Sequence, residues 1–505
     1  MRQKRLFLGV IGLALLPLAA SAQIYQDVSN STATVVRDPA RQASTEIDAV
    51  LFNPAGTALL DDGWHLSLSG KLAYQNFNLS DYHSTVEKSM VDYIPSLQAA
   101  YKKGKWAFSF SLGNEGGYGH SFLSEDPTLS GVLTKLDNRL FDTYKEWASE
   151  YTTMCDKYDQ IVSKTVVTGD LYNFSARIGA AFQINSHLSA YLGLRLNYVT
   201  EKTTVNIDQW IEKADGNREF ANDYFTAIDN DFRKTILKDN QSYEDLVELC
   251  NLLGIDASYF QNQIDLRNSI ADLGSELSQM MAGISNSATW IDKRTNGWGI
   301  SPVIGVNYSI NRFNFAAKYE FETKIHTQGN SLSYHVPNVL SLGASWQIKD
   351  NLKVSAGGSW YWQNFSNIYG RNQTAYLNDI FNIDNISNTD ATIKTPLNGN
   401  GKLNSWDASA SVSFSPVKDL TFSFGYTYNY QRPIHKGFWE RSISFYSIGM
   451  NVVSGGLRYD INDRVQLDCG ISKKMSCTDI HNFVSDLSAD GHHGLNMSAG
   501  ININL

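Results

Sequence analysis

The chain has 505 residues, a formal charge of −9 at pH 7 and 12% aromatic residues, including 26 Tyr and 11 Trp against only 10 Pro. An acidic balance with no basic patch excludes a nucleic-acid partner, because a phosphate backbone demands clustered Lys and Arg. An aromatic-rich, proline-poor composition suits a large sheet protein in which wet and apolar surfaces meet.

The amino terminus reads as an export address. Arg2, Lys4 and Arg5 precede an apolar run from Leu6 to Ala20, and Ala20-Ser21-Ala22 supplies a small-x-small cleavage pattern. Residues 1–22 are therefore expected to be a signal peptide, since the run falls short of the about 20 residues a spanning helix needs. Removing them takes away three positive charges and no negative ones, moving the formal charge from −9 to about −12. No later apolar run approaches the length of a transmembrane helix, so a membrane crossing has to be made by strands.

Residues 23–62 precede the first strand pattern. Within them "STEIDAVLFNPAGTALL" carries a short apolar run broken by the turn unit Asn53-Pro54-Ala55-Gly56. From Trp64 onward the pattern changes to period two: Trp64, Leu66, Leu68, Leu72 and Tyr74 alternate with His65, Ser67, Ser69 and Lys71. The same alternation returns in "WAFSFSLG", "LYNFSARIGAAF", "HLSAYLGLRLNYV", "GWGISPVIGVNYSI", "RFNFAAKYEF" and further segments, ending in "LNMSAGININL". With the weaker "VDYIPSLQAAYKK" there are about 14 strands of about 10 to 15 residues, the length of tilted membrane-spanning strands rather than of a soluble sandwich.

The connections alternate between short turns ("KKGK", "NSH", "IN", "KDN", "SPVKD", "IND") and long loops, read at 78–91, 114–169, 203–295, 324–336, 365–402, 431–447 and 475–493. That asymmetry belongs to outer-membrane barrels. Residues 63–505 are thus expected to form a 14-stranded antiparallel transmembrane β-barrel, an all-β membrane fold. Helical spacing of Leu133, Leu136, Leu140, Tyr144, Trp147 and Tyr151, and of Ile270, Leu273, Leu277, Met280 and Ile284, predicts helices in loops 114–169 and 203–295 that cap the extracellular mouth.

A closed barrel of this size has a lumen too wide for wall side chains to fill. Residues 23–62 are expected to plug it, braced by the turn at Asn53. Alternation also turns Arg195 and Lys318 toward the lumen. Enzymatic chemistry has no support: Ser454 in "SGG" and His492 in "GHHG", read as a loop tip, lack a base or orienting partner at recognisable spacing. Cys155, Cys250, Cys469 and Cys477 show no CxxC spacing and no nearby His cluster, which argues against a metal site and leaves disulfide pairing open. No cofactor is indicated.

The "STEIDAVLFNPAGTALL" stretch followed by an amphipathic strand resembles the amino-terminal hatch of the FadL family of outer-membrane transporters for long-chain fatty acids or aromatic hydrocarbons. "GWGISPVIGVNYSINRFNFAAKYEF", "VPNVLSLGASWQIKDNLKVSAGGSWYWQNF" and "DLTFSFGYTYNYQRPI" agree with it. The resemblance implies a hatch at Asn53, Pro54, Ala55 and Gly56. It further implies sideways release into the membrane lipid at a third-strand kink, which falls on Gly113, Gly116, Gly117 and Gly119. It offers Lys202 as a head-group contact near the end of the fifth strand. Passive uptake of a hydrophobic small molecule by a monomer is the function it implies; a surface receptor, an adhesin or an ordinary porin is the alternative.

Overall fold

The computed structural model describes residues 32–80, 85–123, 158–213, 217–285, 288–327, 335–364, 402–430, 449–476, 480–482 and 487–505, with the isolated positions 138 and 142. Fourteen antiparallel strands close into one barrel. They are β1 (Gly63–Ser80), β2 (Thr85–Lys103), β3 (Trp106–Leu123), β4 (Tyr158–Gln183), β5 (Leu188–Lys213), β6 (Ala288–Ile310) and β7 (Phe313–Glu320). Then follow β8 (Asn338–Lys349), β9 (Leu352–Asn364), β10 (Lys402–Val417), β11 (Leu420–Tyr430), β12 (Met450–Asn462), β13 (Val465–Ser476) and β14 (Leu487–Asn504). Closure is made by β1 against β14, in register from His65–Asn504, and Trp64 and Leu505 exchange main-chain hydrogen bonds of 3.0 and 2.7 Å. A closed ring leaves no unpaired sheet edge, which a lipid environment requires.

The alternation is inside out relative to a soluble protein. Trp64, Leu68, Leu72, Phe108, Leu192, Leu194 and Phe424 are exposed, whereas His65, Ser67, Ser69, Lys71, Ser109, Arg195 and Ser423 between them are buried. Aromatic pairs ring the short-turn end: Trp64–Tyr101 at 4.9 Å, Trp106–Phe182 at 4.7 Å and Phe313–Trp346 at 5.4 Å between ring centres. An apolar outer band with an aromatic girdle is the surface of a membrane barrel. Among the described residues no helix is long and apolar enough to cross a membrane.

The ladders run past the limits that the alternation predicts. β1 and β2 pair as far as Ser80–Thr85, where a long loop at 78–91 is expected. β3 extends to Leu123, β4 starts at Tyr158, β5 extends to Lys213 and β6 starts at Ala288, which shortens the loops read at 114–169 and 203–295. β14 begins at Leu487, so His492 and His493 are strand residues and not a loop tip. The reason is physical: period two in hydropathy appears only where one face meets lipid, and strand that continues beyond the apolar band is polar on both faces.

Residues 204–291 belong to a separate compact unit. Its helices are α3 (Ala221–Leu237), α4 (Asn240–Leu253) and α5 (Ser258–Ser285). α3 buries Tyr224, Phe225, Ile228 and Phe232, and Gly274 of α5 leaves room for the Phe232 ring. α5 therefore packs through Ala271, Gly274, Ser275 and Ser278, while Leu273, one of the predicted stripe residues, is half exposed. The helix predicted around Leu133 to Tyr151, the residues 1–22, Cys155 and Cys477 lie outside the described residues. Cys250 and Cys469 are free thiols.

Candidate functional site

The segment before β1 folds into three short helical pieces against the inward faces of the wall. α1 (Ala33–Arg37) starts where the Thr32 hydroxyl accepts from the Val35 N–H at 3.2 Å. α2 (Ala49–Phe52) is followed by a 3-10 turn over Pro54–Leu59, with Pro54 at its first position, where the missing N–H costs nothing. The wall makes room with glycine: a Cβ at Gly343 would stand 2.6 Å from Ala43 N, and one at Gly470 would stand 2.7 Å from Arg37 N. Main chain thus rests on main chain.

Two different kinds of contact hold this segment. Its first half is clamped by charge. Arg41 reaches Asp48 at 2.6 Å, Glu46 at 2.7 Å and Asp38 at 3.2 Å, and its fork also donates to Ser44 at 2.7 Å. From the wall, Arg458 reaches Glu46 at 2.7 Å and Asp468 at 3.2 Å, and Asp468 receives Arg37 of α1 at 3.0 Å. Burial alone would raise the carboxyls of Asp38 and Glu46. Arg41, with Arg37 beside Asp38 and Arg458 beside Glu46, overrides it and holds both below their ordinary values.

The second half is held by hydrogen bonds and small-residue packing. Asn53 is fully buried, and its Nδ2 donates to Asn307 Oδ1 at 2.6 Å and to the Ser44 carbonyl at 3.2 Å. Ser189 donates to the Ala55 carbonyl at 2.7 Å, and Thr57 back-bonds to the Pro54 carbonyl at 2.7 Å. Gly56 is glycine because a Cβ there would meet Asn53 Nδ2 at 2.8 Å and press on the Ser44 carbonyl. Ala55 and Ala58 pack with Ala107, Ala181, Tyr191 and Val303 of the wall. The unit Asn53-Pro54-Ala55-Gly56 thus has a structural explanation position by position.

A buried ionic cluster on the wall reaches the second half at Leu51. Glu320 of β7 accepts from Arg177 Nη2 at 3.0 Å and also pairs with Arg195 and Lys318; Glu115 of β3 pairs with Arg177 and lies 4.0 Å from Arg195. Three cations face two carboxylates, and the surplus is met by carbonyls. Lys318 and Arg177 both donate to the Leu51 carbonyl, at 2.7 and 2.9 Å, and Arg195 donates to the Phe321 carbonyl at 2.9 Å and to Thr323 Oγ1 at 3.0 Å. Leu51 lies in the last turn of α2, whose carbonyls lack helical partners. The wall therefore fastens the segment at that carbonyl.

Arg195 and Lys318, expected in the lumen, face it and join this cluster. Lys202 is exposed, in phase with the outward Leu194, Leu196 and Tyr198. Sequence reasoning missed Glu115 and Arg177. Arg177 carried a usable signal, since it alternates with the outward Phe174, Ala176 and Ile178, but nothing in the pattern names its partners.

Gly113, Gly116, Gly117 and Gly119 all lie within β3 and not in a loop. The register of β2 with β3 runs from Lys103–Trp106 to Ser96–Gly113; the next β2 residue is Pro95, which has no N–H to give. Just beyond, regularity fails: Asn114 Oδ1 accepts the Asn173 main-chain N–H at 3.1 Å, while its neighbour Glu115 reaches the luminal arginines. The Asn173 N–H is thus taken by a side chain where a regular ladder would use a main-chain carbonyl, so the β3–β4 pairing is irregular at this junction.

A cavity of about 220 Å³ in the lumen is bounded by Val36, Phe52, Arg177, Glu320, Tyr361 and Asp407 among others. Among the described residues no cluster of His, Cys, Asp and Glu has the makings of a metal centre.

No protein-family model matches the chain, and no curated protein matches it in sequence. Solved structures do match in fold. The toluene transporter TodX of Pseudomonas putida aligns over 95% of this chain and 99% of its own, with 12% identity and a TM-score of 0.52. A FadL homologue of Pseudomonas aeruginosa aligns over 94% and 99%, with 10% identity and a TM-score of 0.53. The chain has the FadL-type barrel fold. The toluene transporter TbuX of Ralstonia pickettii agrees, over 95% and 100% of the two chains at 11% identity and a TM-score of 0.51. Fold and apolar belt together make this chain a membrane-spanning β-barrel.

Proposed function

We propose that this barrel carries hydrophobic small molecules, aromatic hydrocarbons or long-chain fatty acids, passively across the outer membrane. The observation that carries the reading is the two-part fastening of the segment before β1. The ion-paired half, Thr32 to Asp48, is the anchor, and the half from Ala49 to Leu60, held by Asn53, Ser189 and the two cations on Leu51, is the hatch that gives way. Ligand leaving the cavity passes sideways into lipid at the β2–β3 junction, where pairing reaches only Ser96–Gly113 and the glycines of β3 permit a bend. Transfer of apolar surface out of water, worth about 25 cal/mol per Å², drives the passage, so no energy source is needed.

In this reading residues 1–22 are removed on export, the barrel works as a monomer in membrane lipid, and no reaction is catalysed. The named neighbours that transport toluene support the ligand class. The test is uptake of a labelled alkylbenzene and a labelled long-chain fatty acid by cells carrying the intact protein or a variant lacking Asn53 to Ala55. Uptake that depends on the protein and is altered in an assembled variant sustains the reading. Uptake equal to that of cells without the protein removes it and leaves a surface receptor as the better description.

A further inference from the structure

The luminal cavity is not evenly equipped for head groups. Its cations are all engaged within the protein: Arg177, Arg195 and Lys318 bind Glu320 and main-chain carbonyls, and Lys71 and Lys474 also have partners. A ligand carboxylate entering here would have to displace an internal contact to obtain its counter-charge, and a buried carboxylate without one is costly.

The opposite holds at β9 and β10. Asp407 faces the cavity, and among the described residues no cation pairs with it. The Tyr361 hydroxyl donates to Asp407 Oδ2 at 2.8 Å, and Ser359 is the register partner of Asp407 across the ladder. A carboxylate has about four acceptor positions, so Tyr361 leaves room for a guest donor. Ser405, Thr427 and Asn429 flank it on the cavity wall, while Val36, Pro39, Phe52 and Val339 give the cavity its apolar side.

We propose that the cavity selects apolar molecules bearing one hydrogen-bond donor, of the phenol or alkanol type, whose hydroxyl donates to Asp407, and that it disfavours carboxylates. This rests on the transport reading above and narrows its ligand class. A hydroxyl donating to a carboxylate makes a charge-assisted bond, about twice as strong as a neutral one. A carboxylate ligand meets Asp407 as a like charge.

The experiment is calorimetric binding of toluene, 4-methylphenol and 4-methylbenzoate, which share a methylphenyl frame and differ in the para group, to the full-length protein in detergent at neutral pH. The expected order is 4-methylphenol first, about tenfold tighter than toluene, with 4-methylbenzoate last. Asp407→Asn, checked for barrel assembly by heat-modifiable mobility, should bring 4-methylphenol to within about twofold of toluene. The wild-type order stands as a test even where the variant fails to assemble. A 4-methylphenol affinity no greater than that of toluene, or tightest binding by 4-methylbenzoate, overturns the inference and leaves transport of hydrophobic molecules intact. Absence of binding by all three overturns the inference and the aromatic half of the transport reading, while uptake of the labelled fatty acid decides the other half.

Discussion

Truncation of Asn53 to alanine isolates one pair of hydrogen bonds in the second half of the fastening. Asn53 contributes two buried hydrogen bonds, 2.6 Å to Asn307 and 3.2 Å to the Ser44 carbonyl. Asn307 Oδ1 keeps a second donor, Asn314 Nδ2 at 2.9 Å, so removing Asn53 leaves it satisfied; the Ser44 carbonyl loses its donor from Asn53. Each bond is worth about 0.5–1.5 kcal/mol net, which gives about 1–3 kcal/mol for the pair. At 1.4 kcal/mol per tenfold, the ratio of displaced to seated hatch should rise about 5- to 140-fold. Proteoliposomes filled with a small polar dye read that ratio as leak. Asn53→Ala should leak faster than wild type, and Asn307→Ala combined with it should add less than its own single effect, because the two share one bond. An assembled Asn53→Ala barrel that leaks no faster than wild type would show that Asn53 does not restrain the hatch.

Three further outcomes follow from the same contacts. Arg41→Met leaves Asp38, Glu46 and Asp48 without their shared cation, a loss of about 3–5 kcal/mol for a broken buried pair, so limited proteolysis should cut within residues 32–62 while the barrel stays resistant. The carboxyls of Asp38 and Glu46 lie below their ordinary values of 3.8 and 4.5, so their contribution is fully present above those values and is lost as pH falls through the lowered ones. Protease resistance of the anchor should therefore be flat from neutral pH to about 5 and decline only below about 4; a decline near 6 would refute the assignment. Gly116→Val stiffens β3 beside the irregular junction and should lower hydrophobic uptake without changing barrel assembly or dye leak, which uptake and leak measured on the same preparation distinguish.

The architecture was legible because lipid imposes a strict code. One face of every spanning strand must be apolar, and the other meets the lumen, so Trp64, Leu68 and Leu72 against Ser67, Ser69 and Lys71 announce both the strand and its orientation. Where both faces are wet the code goes silent, and the ladder from Asn76–Ser89 to Ser80–Thr85 could not be seen. The Asn53 turn was legible as a turn, and Arg195 and Lys318 as luminal. Their meaning was not: whether a luminal cation waits for a ligand or is consumed by the protein depends on which residues stand opposite it. Glu115, Arg177 and Glu320 come from β3, β4 and β7, and the carbonyl they help to hold, that of Leu51, lies more than 60 residues before the nearest of them.

Sequence by itself thus determined the barrel, its strand count and its facing, since each is a one-dimensional pattern repeated along the chain. Only the tertiary structure decided that the first half of the segment is clamped by ion pairs and the second by hydrogen bonds, that Lys202 points outward, that the cations of the cavity are engaged, and that among the described residues no cation pairs with Asp407. Those facts are pairings between distant strands, and burial makes such pairings decisive: in a lumen shielded from water, a charge is defined by its partner more than by its own chemistry.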